Sequence, residues 1–229
     1  MQIPTLVFFL ISHLAGAQAP DLAIQVEEAT KIRPILSQGL LSLAVDSVGT
    51  AVVVGPQVAL TSCHNMSTQT LERAEVPVSF GPLIQRAELL EADSERDLCK
   101  IKIEGSALMI APAVAQTQPQ IEDVVFALGN SNGARSVSKG QILEVYQMPF
   151  GQVYKVSAWF RPGASGGALL NQNLELIGIL TLMDKPQNGV FGDAYAIAIS
   201  NSDLQTSTPI KMEIQKPAFW RQQFKQGTL

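Results

Sequence analysis

The segment Arg161-Pro162-Gly163-Ala164-Ser165-Gly166-Gly167-Ala168-Leu169 sets a serine between glycines just ahead of a largely apolar run, Leu174 to Leu182. A serine hydroxyl is a weak nucleophile near neutral pH. It needs a neighbouring base to take its proton, and the tetrahedral adduct it forms needs fixed N–H donors. Glycines on either side permit a tight turn and leave backbone amides uncovered. The same pattern also builds ordinary turns between strands, so its meaning depends on a histidine and a carboxylate elsewhere. The chain has two histidines. His13 lies in an apolar N-terminus. His64 ends the run Val58-Ala59-Leu60-Thr61-Ser62-Cys63 and is the candidate base, although a lone histidine is more often an ordinary structural residue than a catalyst. It has no second histidine with which to share a His-rich metal site. The candidate carboxylate is Asp97, where the polar stretch Ser94-Glu95-Arg96 meets the alternating run Leu98 to Ile103. In this role a carboxylate is buried against one imidazole nitrogen and fixes the tautomer that leaves the other free to take the serine proton. Asp93 and Glu95 are competitors further out in the loop and read as solvated acids.

Three side chains so far apart in sequence need a rigid scaffold. From Leu40 onward, short runs rich in Val, Ile and Leu alternate with Gly/Pro/Asn/Ser turns. Strands are expected near 40–46, 49–54, 57–62, 75–80, 85–92 and 98–103, and again near 124–128, 136–146, 152–156, 167–170, 175–181 and 194–199. Many short strands at regular spacing indicate an all-β sandwich or barrel, and two groups of about six suggest two barrels. Residues 106–120 read as the link between them, and no internal repeat is evident. Asp21 to Gln38 reads as an N-terminal helix that Asp21 caps and that Pro34 should end or kink. The tail, 201–229, differs in composition. Phe219, Trp220 and Phe224 suggest a short terminal helix packed on the second barrel, or else a docking segment for another chain.

The composition, 46% hydrophobic and 16% charged over 229 residues, permits a sizeable core. A net charge of −4 gives no electrostatic reason to expect nucleic acid. Residues 1–17 carry no charged side chain, and their apolar centre is too short to span a bilayer. Ala15-Gly16-Ala17 and Ala17-Gln18-Ala19 are small-residue cleavage patterns, and Pro20 directly after the second favours cleavage after Ala17. The segment reads as a secretory signal peptide, with an uncleaved anchor as the alternative because no Lys or Arg stands near its start. After cleavage no integral membrane segment is expected, and the mature chain should be extracytoplasmic, periplasmic or secreted. In an oxidising compartment the two cysteines, Cys63 and Cys99, suit a single disulfide, with two buried thiols as the alternative.

Taken together, Gly49-Thr50-Ala51-Val52-Val53-Val54-Gly55-Pro56, then Leu60 to His64, then Asp97-Leu98-Cys99-Lys100-Ile101, then Gly163 to Leu169, resemble the trypsin-like serine protease superfamily. The nearest flavour is the bacterial HtrA/DegP-like branch. Phe126-Ala127-Leu128-Gly129-Asn130 and Ser136 to Ile142 resemble the first strands of that branch's second barrel; Leu176 to Thr181 and Ala194 to Ile199 resemble its last two. The similarity covers roughly residues 40–200. It implies a chymotrypsin-like double barrel of two six-stranded antiparallel barrels, about 40–105 and 120–200, with short N- and C-terminal helices. Residues 18–39 form a helical lead-in. The order His64, Asp97, Ser165 places base and acid on the first barrel and the nucleophile on the second. By the resemblance Ser165 attacks the scissile carbonyl, His64 shuttles the proton, Asp97 orients the imidazole, and the Gly163 and Ser165 N–H groups form the oxyanion hole. It also brings Cys63 and Cys99 together as a bridge. Closing a loop of about 37 residues would contribute roughly 3–4 kcal/mol.

The expected activity is that of a metal-independent serine endopeptidase, with no cofactor, acting on polypeptides, unfolded proteins among them. The alternative is a catalytically silent, protease-like binding or scaffolding protein. Ala164 stands where digestive-type relatives use an acid to hold an activated N-terminus, so activation by N-terminal cleavage is not expected. Ala164 and Ala168 stand where the bacterial branch commonly has Asn and Pro. No PDZ domain is expected after Asn201. By analogy Trp159 and Phe160 lie near the base of the specificity pocket, and Thr181, Leu182 and Met183 form one wall, favouring a small or medium apolar residue before the cut. Asp193 either reaches the pocket floor, favouring Lys or Arg, or is a solvated turn acid.

Overall fold

The computed structural model describes residues 24–44, 48–66, 75–80, 83–103, 110–131, 134–184 and 192–204. The expected signal peptide, Asp21 and the tail beyond 204 lie outside the described residues. Twelve strands form two closed antiparallel barrels. The first contains β1 (Leu40–Ala44), β2 (Val48–Gly55), β3 (Val58–Ser62), β4 (Glu75–Phe80), β5 (Leu83–Asp93) and β6 (Leu98–Ile103). They close in the order β1-β2-β3-β6-β5-β4. The second contains β7 (Val124–Ser131), β8 (Ala134–Met148), β9 (Gly151–Val156), β10 (Ala168–Asn171), β11 (Leu176–Met183) and β12 (Ala194–Ala198), closing in the order β10-β11-β12-β9-β8-β7. Read from β7 this is β7-β8-β9-β12-β11-β10, so both barrels share one connectivity although their sequences show no evident repeat.

The strands nearest the middle of the molecule read as unbroken apolar runs because both of their faces are buried. In β2, Ala51 and Val53 point into the first barrel while Val52 and Val54 face the seam between barrels. In β7, Val125 and Ala127 point into the second barrel while Phe126 and Leu128 face the same seam. Leu60, Leu98, Ala168, Leu170, Leu176 and Ile179 complete this shared layer. The barrels are therefore joined by a continuous core, and polar groups that cross the seam are held in register by it.

Helix α1 (Val26–Gln38) adds Ile32 and Ile35 to the seam. It starts after Gln25, whose N–H donates to the Glu28 carboxylate at 2.9 Å. Pro34 does not end it: the helix continues to Gln38, where the Gly39 N–H closes onto the Ile35 carbonyl at 2.7 Å. A helical proline costs about 3 kcal/mol, whereas burying two isoleucines is worth roughly 3–6 kcal/mol. Ile32 and Ile35, 0% and 7% exposed, flank Pro34, and their burial outweighs the local penalty. Glu28 also reaches Lys139 of β8 at 2.8 Å, fixing the helix to the second barrel. A four-residue helix, α2 (Asn201–Leu204), follows β12. Among the described residues no helix is long and apolar enough to cross a membrane.

Candidate active site

β3 pairs with β6 so that Thr61 faces Cys99 and Ser62 faces Leu98. Extending that register by one residue sets the start of the turn after β3 against the end of the loop before β6. The Cys63 N–H accordingly meets the Asp97 carbonyl at 3.2 Å, and Cys63 and Cys99 are disulfide-bonded. The short 3-10 turn Cys63–Asn65 carries His64. Its backbone N–H donates to Asp97 Oδ1 at 2.8 Å, and its Nδ1 lies 2.7 Å from Asp97 Oδ2. An ionised carboxylate only accepts, so this contact places the imidazole proton on Nδ1 and leaves Nε2 able to accept. Asp97 is 3% exposed and holds a left-handed backbone, φ 61°, which Asp tolerates better than most residues.

A third donor reaches the carboxylate from the other barrel. The pairing of β11 with β12 slips between Leu180 and Leu182, leaving Thr181 as the extra residue of a bulge. Bulges re-aim side chains, and here the Thr181 hydroxyl, buried in the seam, donates to Asp97 Oδ2. The Thr181 carbonyl in turn accepts from Ser165 Oγ at 3.5 Å. Thr181 thus links the Asp97–His64 pair to the serine. The Ser165 hydroxyl makes its hydrogen bond, among the described residues, to this carbonyl and not to His64. At 3.5 Å that bond is long and easily surrendered.

The serine loop is moulded by contacts with the first barrel. Gly163 and Gly166 flank it with φ of 96° and 85°. A Cβ on Gly166 would lie 2.0 Å from the Thr50 carbonyl oxygen, so glycine is required on grounds of both backbone angle and space. Thr50 of β2 is the anchor. Its N–H donates to the Ser165 carbonyl at 2.9 Å, and its hydroxyl donates to the Gly163 carbonyl at 2.8 Å. That hydroxyl also accepts from the Asn130 N–H at 2.9 Å. Asn65 Nδ2 adds a second donor to the Ser165 carbonyl at 2.9 Å. With the carbonyls turned toward Thr50, the Gly163 and Ser165 N–H groups have no partner among the described residues. Two unspent donors beside a serine are what an oxyanion requires.

The residues assigned to a pocket by analogy fall in different surroundings. Phe160 is 4% exposed within the core of the second barrel. Trp159 is half-buried, its carbonyl accepts from Ser138 Oγ, and the Arg161 guanidinium sits 5.6 Å from its ring centroid. Met183 packs at the edge of that core. The Asp193 carboxylate pairs with Lys155 at 3.0 Å, and Lys155 also meets Glu144 at 2.9 Å. Burial alone would lower the Lys155 ammonium, but the hydrogen bonds it donates to Glu144 and Asp193 hold it above its ordinary range. Of the competing acids, Asp93 accepts from the Arg96 N–H at 2.9 Å and Glu95 is exposed. Thr50, Asn65, Asn130 and Arg96 carry no sequence signal for these roles, because their partners lie 80 to 113 positions away or on another element.

The model of the trypsin-like peptidase domain matches residues 49–179. The serine endoprotease DegS of Haemophilus influenzae is 32% identical over 148 residues, covering 61% of this chain and 43% of its own length. The periplasmic pH-dependent serine endoprotease DegQ of Escherichia coli is 24% identical over 159 residues, covering 66% of this chain and 35% of its own. Among solved structures, the serine endoprotease from Yersinia pestis superposes with a TM-score of 0.61 at 26% identity, covering 78% of this chain and 64% of that one. The HtrA-type protease AlgW with tripeptide gives 0.62 at 26% identity, covering 74% and 59%. The chain spans less than half the length of these two curated relatives. With a matched span that runs from the strand holding Thr50, through His64, Asp97 and Ser165, into β11, the chain belongs to the trypsin-like peptidase domain family.

Proposed function

We propose that the chain is a serine endopeptidase that cleaves polypeptides through an acyl-enzyme. Ser165 is the nucleophile, His64 the general base and then acid, Asp97 the group that holds and stabilises the imidazolium, and Gly163 and Ser165 the oxyanion donors. The observation that carries this reading is the doubly anchored His64–Asp97 pair, tied through Thr181 to Ser165. No metal or cofactor has a part in the scheme. Residues 1–17 act as a signal peptide and 40–200 as the protease domain. The periplasmic names of several relatives support an extracytoplasmic location. Unfolded proteins are the proposed substrates. Because Asp193 is engaged by Lys155, a small or medium apolar residue before the cut is favoured over Lys or Arg.

One observation favours a second reading, a silent protease-like binding protein: the Ser165 hydroxyl bonds to Thr181 rather than to His64. Casein hydrolysis and fluorophosphonate labelling of wild type and Ser165→Ala separate the two. Cleavage and labelling by wild type, both absent in the variant, are expected. A wild-type protein that neither labels nor cleaves would leave the binding reading.

A further inference from the structure

Asp97 combines a left-handed backbone, a buried carboxylate and a position at the end of a four-residue turn, 94–97, between β5 and β6. On one side the turn is held by the Cys63 N–H and the disulfide. On the other it is held by Arg96, the residue immediately before Asp97. The tip of the Arg96 guanidinium reaches beyond the first barrel. Its Nη1 lies 2.5 Å from Asp203 Oδ1 and its Nη2 3.1 Å from Asp203 Oδ2, a two-point fork onto α2. Nη2 also donates to the Ala198 carbonyl at the end of β12, at 3.1 Å. Nε lies 4.0 Å from Asp93 Oδ2. Asp203 is oriented for this contact by the Ser200 N–H at 2.8 Å and the Ser200 hydroxyl at 3.1 Å. Both side chains are largely buried, 19% and 10% exposed.

A buried ion pair is weak evidence for stability, because desolvating two charges offsets much of their attraction. What a two-point guanidinium–carboxylate fork does supply is direction. We propose that the Arg96–Asp203 pair is a clasp between the barrels that positions Asp97 against His64, which makes Arg96 a positioning residue for the triad. This rests on the reading of Asp97, His64 and Ser165 as a triad. The clasp fixes the turn from the second barrel, and Thr181 fixes the carboxylate from that same barrel. The acid and the nucleophile therefore share one frame although they stand on different barrels.

Three single variants test this: Arg96→Met, which keeps length without charge; Arg96→Lys, which keeps one contact; and Asp203→Asn. The Arg96→Met/Asp203→Asn double variant completes the cycle. Peptide hydrolysis is measured well below each variant's melting temperature. One-dimensional proton NMR follows the low-field signal of the His64 Nδ1 proton. Arg96→Met should lower kcat by about tenfold to a hundredfold, the scale of a small misplacement, with KM unchanged. The low-field proton should move or broaden, Arg96→Lys should recover part of the loss, and the double variant should be no worse than the worse single. Asp203→Asn carries the comparison where Arg96→Met does not fold. Wild-type kcat in the folded variants, or a melting temperature lowered with kcat intact, would overturn the proposal. If wild type is inactive yet shows the low-field proton, and Arg96→Met loses it, the peptidase reading falls and the clasp stands. An inactive wild type without that proton, or one whose proton is unchanged in the variants, sinks the clasp itself.

Discussion

At the scale of single residues, Thr181 is the most exposed to test. Its hydroxyl is a donor to a buried carboxylate, and hydrogen bonds to charged groups contribute about 1.5–3 kcal/mol. Thr181→Val keeps the shape and removes the donor. Its kcat/KM is expected to fall by roughly ten- to a hundredfold, while Thr181→Ser, which restores the hydroxyl, recovers most of the rate. Equal activity in the two variants would show that Asp97 is held without this donor. Thr50 makes a parallel case. Thr50→Val replaces with a methyl group the hydroxyl that donates to the Gly163 carbonyl and accepts from the Asn130 N–H, and an unmade buried bond costs about 1–3 kcal/mol. Its signature should be slower fluorophosphonate labelling than in Thr50→Ser. Ser165, His64 and Asp97 could be picked out as candidates from the sequence, because few residue types can perform the steps proposed for them and the chain offers one histidine beyond its apolar start. The role of Thr181 could not be. The sequence placed it in a pocket wall, and only the bulge between Leu180 and Leu182, which no local pattern announces, turns its hydroxyl to Asp97.

At the scale of elements, strand positions were legible because turn residues punctuate apolar runs, and observed ends differ from expectation by a few residues at most. The N-terminal helix was legible in kind and in its last residue but not in its continuity. Pro34 looks like a stop until the seam that receives Ile32 and Ile35 is known. This bears on whether α1 is a removable inhibitory segment. Ile32 is 0% exposed in the layer that joins the barrels, and truncating such a side chain typically costs about 2–5 kcal/mol. Ile32→Ala should therefore lower the free energy of unfolding by that amount, read as a downward shift of the urea midpoint, and deletion through Gln38 should destabilise the protein rather than activate it. A deletion variant that is as stable as the full chain, and faster, would mean that α1 restrains the enzyme. The disulfide belongs to the same scale. By loop entropy, replacing Cys63 and Cys99 with alanine should remove roughly 3–4 kcal/mol, read as a lower melting temperature for the double variant.

At the scale of the whole molecule, the two-barrel plan was legible from the grouping of strands, whereas the identical connectivity of the barrels was not, since it leaves no trace in residue identity. Beyond the apolar seam, ion pairs among the described residues join parts of the molecule more than a hundred positions apart in sequence: Glu28–Lys139 between α1 and β8, and Arg96–Asp203 between the first barrel and α2. In both, burial pushes the carboxyl upward, but the cationic partner and backbone donors outweigh it. Glu28 and Asp203 are thereby held below their ordinary values of 4.5 and 3.8. For a group depressed on folding, the unfolded chain binds the proton first. The stabilising contribution is then complete above the ordinary value and is lost as pH falls through the depressed one. Urea midpoints should accordingly be level near neutrality and decline below about pH 4. The Glu28→Gln/Asp203→Asn double variant should be less stable than wild type at pH 7 and approach it at low pH, because it no longer has those protons to take up. Parallel curves for the two proteins would show that acid sensitivity arises elsewhere. Added salt distinguishes the two contacts, since screening acts mainly on exposed charges: it should weaken the contribution of Glu28, 31% exposed, more than that of Asp203, 10% exposed.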